Sequence, residues 1–183
     1  MTFEELIQQK LQIAADIKTY WPRTPGGKVT AYSGEESLEI DDAVDTSDLW
    51  LNDINDDLFY STHIWVELTA EGAAWILGGY LHHILSTAPV SDGTGILNGW
   101  SPFFVDFAVL TCCAVLMDDH IISCCTVELT TTLKRIDPGL FPLTALTVNW
   151  MLNADELFAN KLFAFTPDDV AKLKKNWNLP LQA

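Results

Sequence analysis

The sequence predicts a mainly α-helical protein: one compact domain over residues 1–183, with five to seven helices around an aromatic core. Three observations lead there. Helix-capping signals stand at the start of several apolar-periodic stretches. Hydrophobic residues make up 49% of the chain and charged residues 19%, enough apolar material for a core and the opposite of a disordered composition. The aspartates and glutamates are also gathered in one region instead of being spread over every element, so an acidic, irregular segment is expected beside the helices. The chain divides into a helix at 2–21, an acidic segment at 29–62 and a helical core at 69–177.

Thr2 with Glu5 forms a capping box, after which Phe3, Ile7, Leu11, Ala14 and Trp21 recur at helical spacing. Pro22 and Pro25-Gly26-Gly27 end this first helix near Trp21. Residues 29–62 mix turn formers and acids with short apolar runs, which suits either short strands or an irregular acidic wrap. Thr69-Ala70-Glu71 opens a second helix with Ala73, Leu77, Tyr80, Leu81 and Ile84 on one face. Residues 88–99, rich in proline and glycine, form the longest expected loop, and Ser101-Pro102 starts a third helix. Residues 105–133 are rich in Val, Ile, Thr and Cys, which favour strands, and Asp118-Asp119-His120 suits a hairpin turn. The same residues also make two helices broken at that point, and the helical neighbours favour this reading, with a short β-hairpin as the alternative. A helix is expected from about residue 143 to 162, with Asn153 and Glu156 either inside it or capping a further segment. In the last helix Thr166 is the cap and Pro167 takes the first position. Asp168 and Asp169 lie at the positive dipole end, and Lys172, Lys174 and Lys175 at the negative end.

Charge is distributed very unevenly. Between Lys28 and Lys134, 105 residues pass without a lysine or arginine while 17 are acidic, so the window exceeds the whole formal charge of −15 and the two ends are net positive. Such a surface repels nucleic-acid backbones and anionic lipid and attracts cations over a Debye length of ~10 Å. Within it Glu35, Glu36, Glu39, Asp41, Asp42, Asp45, Asp48, Asp53, Asp56 and Asp57 alternate with Trp50, Phe59 and Tyr60, and Trp65 follows. Carboxylates around aromatic anchors are the composition of a surface that docks a basic protein, the charge steering and the rings holding. A solvated face whose aromatics belong to the core gives the same composition. The partner-binding expectation is Asp45, Asp48, Trp50, Asp53, Asp56, Asp57, Phe59, Tyr60 and Trp65.

Other chemistry is weakly marked. Asp53-x-Asn55-x-Asp57 opens like a calcium loop, but Leu58 and Ile64 stand where its glycine and bidentate glutamate belong. Cys113, His120 and Cys124 would share a face of one continuous helix, yet there is no Cys-x-x-Cys and no His-x-x-x-His, and His82 and His83 diverge by ~100°. Buried, reduced cysteines are the expectation, since the pairs Cys112-Cys113 and Cys124-Cys125 do not resemble a disulfide framework. His120 beside Asp118 and Asp119 has the makings of a general base, or of a solvated turn. Ser91-Asp92-Gly93-Thr94-Gly95 lacks the lysine of a phosphate loop, and no nucleophile elbow exists. The start of the chain carries acids where an export signal needs positive charge, and the longest apolar run, 107–117, is far short of the ~20 residues of a membrane span. A cytoplasmic location is expected.

Leu68-Thr69-Ala70-Glu71 leading through Trp75 to Tyr80-Leu81, with Phe165-Thr166-Pro167-Asp168-Asp169 near the end, resembles a pattern of small uncharacterised bacterial all-helical proteins. In these a Leu-Thr-Pro-Glu start leads into an aromatic helix ending in Tyr-Leu, and a Thr-Pro helix closes the chain. Ala70 stands in place of the usual proline, and the similarity spans about 35 of 183 residues. The resemblance implies an all-helical bacterial domain of the immunity-protein kind and transfers no catalytic residue. The reading is a non-enzymatic, cytoplasmic acidic binding protein, without metal or cofactor, that neutralises a basic protein such as a toxin effector. The alternatives are a DNA mimic that inhibits a DNA-binding protein and a metal-dependent hydrolase using Cys, His and Asp ligands.

Overall fold

A computed structural model describes residues 1–22, 29–30, 68–87, 110–118, 128–157 and 162–180. These residues form six helices: α1 (Phe3–Tyr20), α2 (Ala70–Thr87), α3 (Leu110–Asp118), α4 (Leu129–Ile136), α5 (Leu140–Leu157) and α6 (Pro167–Asn176). Among the described residues there is no strand, and an isolated antiparallel bridge joins Thr30 to Leu68. The mainly α class is therefore the observed one. Within residues 105–133, the described stretches Leu110–Asp118 and Leu129–Leu133 are helical, in α3 and α4, and the break expected at Asp118-Asp119-His120 runs into residues outside those described.

The helix ends follow their local chemistry. Thr2 accepts from the Glu5 amide at 3.2 Å while Glu5 accepts from the Thr2 amide at 2.7 Å. Thr166 and Asp169 repeat this box around Pro167. The hydrogen bonds from Thr2 and Thr166 hold the Glu5 and Asp169 carboxyls below their ordinary pKa values. Asn178, at φ 53°, closes α6, with the Leu179 amide donating to the Lys174 carbonyl and the Asn178 amide to that of Lys175, the two bonds of a Schellman motif. At α2, Thr69 Oγ1 accepts from the Gly72 amide at 3.0 Å. Helix α5 begins three residues before the expected start. Asp137 Oδ1 accepts from the Gly139 amide at 2.8 Å and so shapes the tight turn after α4, while Pro142 fits the first helical turn, where no amide bond is lost. Asn153 and Glu156 lie inside α5, not at a cap.

α2 is the central element and packs against α1, α4 and α5; α1 also packs on α5, α4 on α5, and α3 on α6. Its residues 72–81 are buried on every side, a broader burial than the single apolar face of the sequence reading. On α1 the buried row is Leu6, Lys10, Ile13 and Ile17, continuing to Trp21, whereas Phe3 and Leu11 are exposed. Of the row read from sequence, Phe3 and Leu11 thus lie outside, Ile7 and Ala14 are half-buried and Trp21 lies inside. Lys10 interrupts the inner row as a string of letters, yet its long stem packs there, and burial pulls its ammonium pKa down.

Three indoles tie helices together. Trp21 Nε1 donates to the Trp75 carbonyl on α2 at 3.1 Å, Trp150 Nε1 on α5 to the Leu6 carbonyl on α1 at 2.9 Å, and Trp177 Nε1 to the Leu116 carbonyl on α3 at 3.0 Å. Asn176 Nδ2 adds a bond to the Met117 carbonyl at 2.6 Å. Each bond satisfies a buried donor with a helix carbonyl, so burial of the ring costs no unmet polar group. Two surface ion pairs, Glu71–Arg135 and Asp118–Lys172, join elements across the surface.

Candidate docking groove

The residues nominated from sequence for partner binding, Asp45, Asp48, Trp50, Asp53, Asp56, Asp57, Phe59, Tyr60 and Trp65, lie outside the described residues. So do the Ser101-Pro102 helix start, residues 91–95, His120, Cys124 and Cys125. Of the other chemistry-bearing side chains, Cys112 and Cys113 are free thiols buried on α3. Burial pushes the Cys112 thiol up to about 12, and burial together with Cys112, Asp155 and Asp169 raises that of Cys113 well above its ordinary value. Thiolates, the form that attacks or binds metal, are suppressed at both. The face read for Cys113, His120 and Cys124 runs from α3 into residues outside those described. Among the described residues no group of three His, Cys, Asp or Glu side chains could hold a metal ion. No helix among them is long and apolar enough to cross a membrane.

On α2, His82 Nε2 lies 3.5 Å from Ser86 Oγ, one turn further on. That is the outer limit of a hydrogen bond, and Ser86 faces solvent, so the pair is a helix-surface contact. Burial, and then the Lys18 charge, lower the His82 pKa from its ordinary value. The native state therefore resists a proton that the unfolded state accepts, and stability must fall as pH drops through the unfolded pKa of ~6.5. Denaturant midpoints measured from pH 8 down to pH 5 should decline for the wild type, and His82→Gln should flatten the part of that decline below ~6.5. A slope unchanged by His82→Gln would remove His82 as its cause.

A concavity of about 370 Å³ lies between the C-terminal half of α1 and the start of α5, lined by Asp16, Tyr20, Asp137, Gly139, Leu140, Pro142, Leu143 and Leu146. Asp16 and Tyr20 are one helical turn apart and share a face of α1. The Asp137–Gly139 turn supplies one wall, and the first two turns of α5 supply the apolar floor. Tyr20 is 68% exposed and Leu146 52%. Each carboxylate spends one oxygen locally, Asp16 Oδ1 on Gln12 Nε2 at 2.9 Å and Asp137 Oδ1 on the Gly139 amide. Two described cations beside the Asp137 turn are otherwise engaged: Arg135 pairs with Glu71, and Lys134 sits over the Phe141 ring at 4.0 Å. Lys18, ~200° around α1 from Asp16, acts on His82 of α2. Among the described residues, the groove thus combines a partly exposed apolar floor with two carboxylates and no cation in its lining.

None of these groove residues was nominated from sequence. Asp16 and Asp137 stand outside the basic-free window and far apart in the chain, and only the packing of α1 on α5 brings them to one concavity. The chain matches no protein-family model, no curated protein and no solved structure.

Proposed function

We propose that the protein is a non-enzymatic acidic binding protein that neutralises a cationic protein partner in the cytoplasm, in its most concrete form a bacterial immunity protein occluding a toxin. The supporting observation is the window of 105 residues with 17 acids and no lysine or arginine. Its carboxylates attract the partner at long range, and Trp50, Phe59, Tyr60 or Trp65 is then buried against it. The described groove, negative and apolar at once, agrees in sign.

The product of the reading frame beside this gene is the first partner to try. Its expression should arrest growth and coexpression of this chain should relieve the arrest. In the purified pair, affinity should fall at least about tenfold between about 50 and 500 mM salt, and Asp→Asn changes at Asp53, Asp56 and Asp57 should slow association. Affinity indifferent to both salt and the three substitutions would sink electrostatic docking.

A further inference from the structure

We propose that the groove between α1 and α5 is a second contact point for the same cationic partner, seating one lysine or arginine of a partner loop. This deepens the preceding proposal and rests on it. Two carboxylates and an apolar floor in one concavity match the two halves of such a side chain. The aliphatic stem lies along Leu143, Leu146 and the Tyr20 ring, and the charged head reaches the Asp16 and Asp137 carboxylates. At about 370 Å³ the concavity has room for a side chain with part of its flanking residues.

Single exposed apolar residues are ordinary on protein surfaces; convergence distinguishes this site. Tyr20 and Leu146, two of the large exposed apolar side chains among the described residues, meet at one groove whose charged lining groups, among those residues, are acidic. Charge also selects the occupant. A second copy of this chain, with a formal charge of −15, is repelled, as are anionic lipid and nucleic acid, whereas a basic loop is attracted. The mouth of the site is wet, so its two ion pairs contribute modestly and the apolar floor supplies the rest.

The test is an amide NMR titration of the whole chain with a capped hexapeptide of alternating leucine and lysine, beside the same peptide with serine for lysine. The lysine peptide is expected to give saturable shifts at Tyr20, Gly139 and Leu146, and the serine peptide none. The double variant Asp16→Asn, Asp137→Asn keeps the oxygen that accepts from Gly139 and should bind the lysine peptide about three- to tenfold more weakly, with an unchanged unfolding midpoint. Shifts confined to residues 31–67, weakened by the Asn changes at Asp53, Asp56 and Asp57 but not by the groove pair, would overturn the groove and leave the cationic-partner reading standing. Equal binding of the two peptides, or no saturable binding, would overturn the groove. Whether the reading itself fails is decided separately, by the salt dependence of the complex with the natural partner.

Discussion

Replacing Gly78 with alanine is expected to lower the unfolding free energy by about 2–3 kcal/mol, although alanine is the better helix former by ~1 kcal/mol. A Cβ at this position would fall 2.4 Å from two atoms of the Trp21 indole and 2.5 Å from a third. The ring cannot yield cheaply. Trp21 is 1% exposed, and its Nε1 is bound to the Trp75 carbonyl one turn before Gly78. Making room for a methyl group means withdrawing the indole by more than ~1 Å, which breaks that bond and opens the seam between the end of α1 and α2. Urea denaturation followed by circular dichroism measures the loss. A double-mutant cycle identifies its cause: Trp21→Leu should cost clearly less in the Gly78→Ala background than in the wild type. Additive effects would show that the ring and the glycine do not meet as described.

Asp155→Ala should be at least as damaging, about 3–5 kcal/mol, and should act at the other end of the molecule. Asp155 lies in the last turn of α5, 6% exposed, and its carboxylate accepts three backbone amides in succession: Phe163 at 2.7 Å, Ala164 at 3.1 Å and Phe165 at 3.0 Å. Ala164 is held at φ 53°, a left-handed conformation that a non-glycine residue adopts only at some cost. The three bonds offset that strain and deliver Thr166 to its capping position on α6. Removing the carboxylate leaves buried amides without an acceptor, beside Phe163 and Phe165, which stack at 5.5 Å. Hydrogen exchange should report the effect locally, with protection lost first at residues 163–165 and in α6, while α1 and α2 keep theirs. Uniform loss of protection would instead make Asp155 a contributor to global stability alone. Asp155→Asn should fall between wild type and alanine, because an amide offers one acceptor oxygen and turns a donor toward a third N–H.

The sequence reading was most reliable where the physics is local. The Thr2–Glu5 capping box, the Thr166 cap and the proline at the first position of α6 all act within three or four residues, and all appear as read. It was less reliable for burial. Phe3 and Leu11 repeat at helical spacing as convincingly as Leu6, Ile13 and Ile17, and the choice between the two rows belongs to α2 and α5. Asp155 went unnoticed beside Asn153 and Glu156, because a carboxylate reaching forward to a turn eight to ten residues away has no spacing signature. The acidic window that motivates the functional proposal is a property of the string alone, and its residues 31–67 lie outside those described.

Sequence by itself determined the helical class, the starts of α1, α2 and α6 and the gathering of acidic residues into one window, since these depend on residue type and on neighbours a few positions away. Tertiary structure alone decided which apolar row of α1 faces inward, which carbonyls receive the indoles of Trp21, Trp150 and Trp177, and that Asp16 and Asp137 share a groove. Those bonds join residues 54, 144 and 61 positions apart, respectively. Contacts over such separations are set by how whole helices pack, which no local spacing encodes.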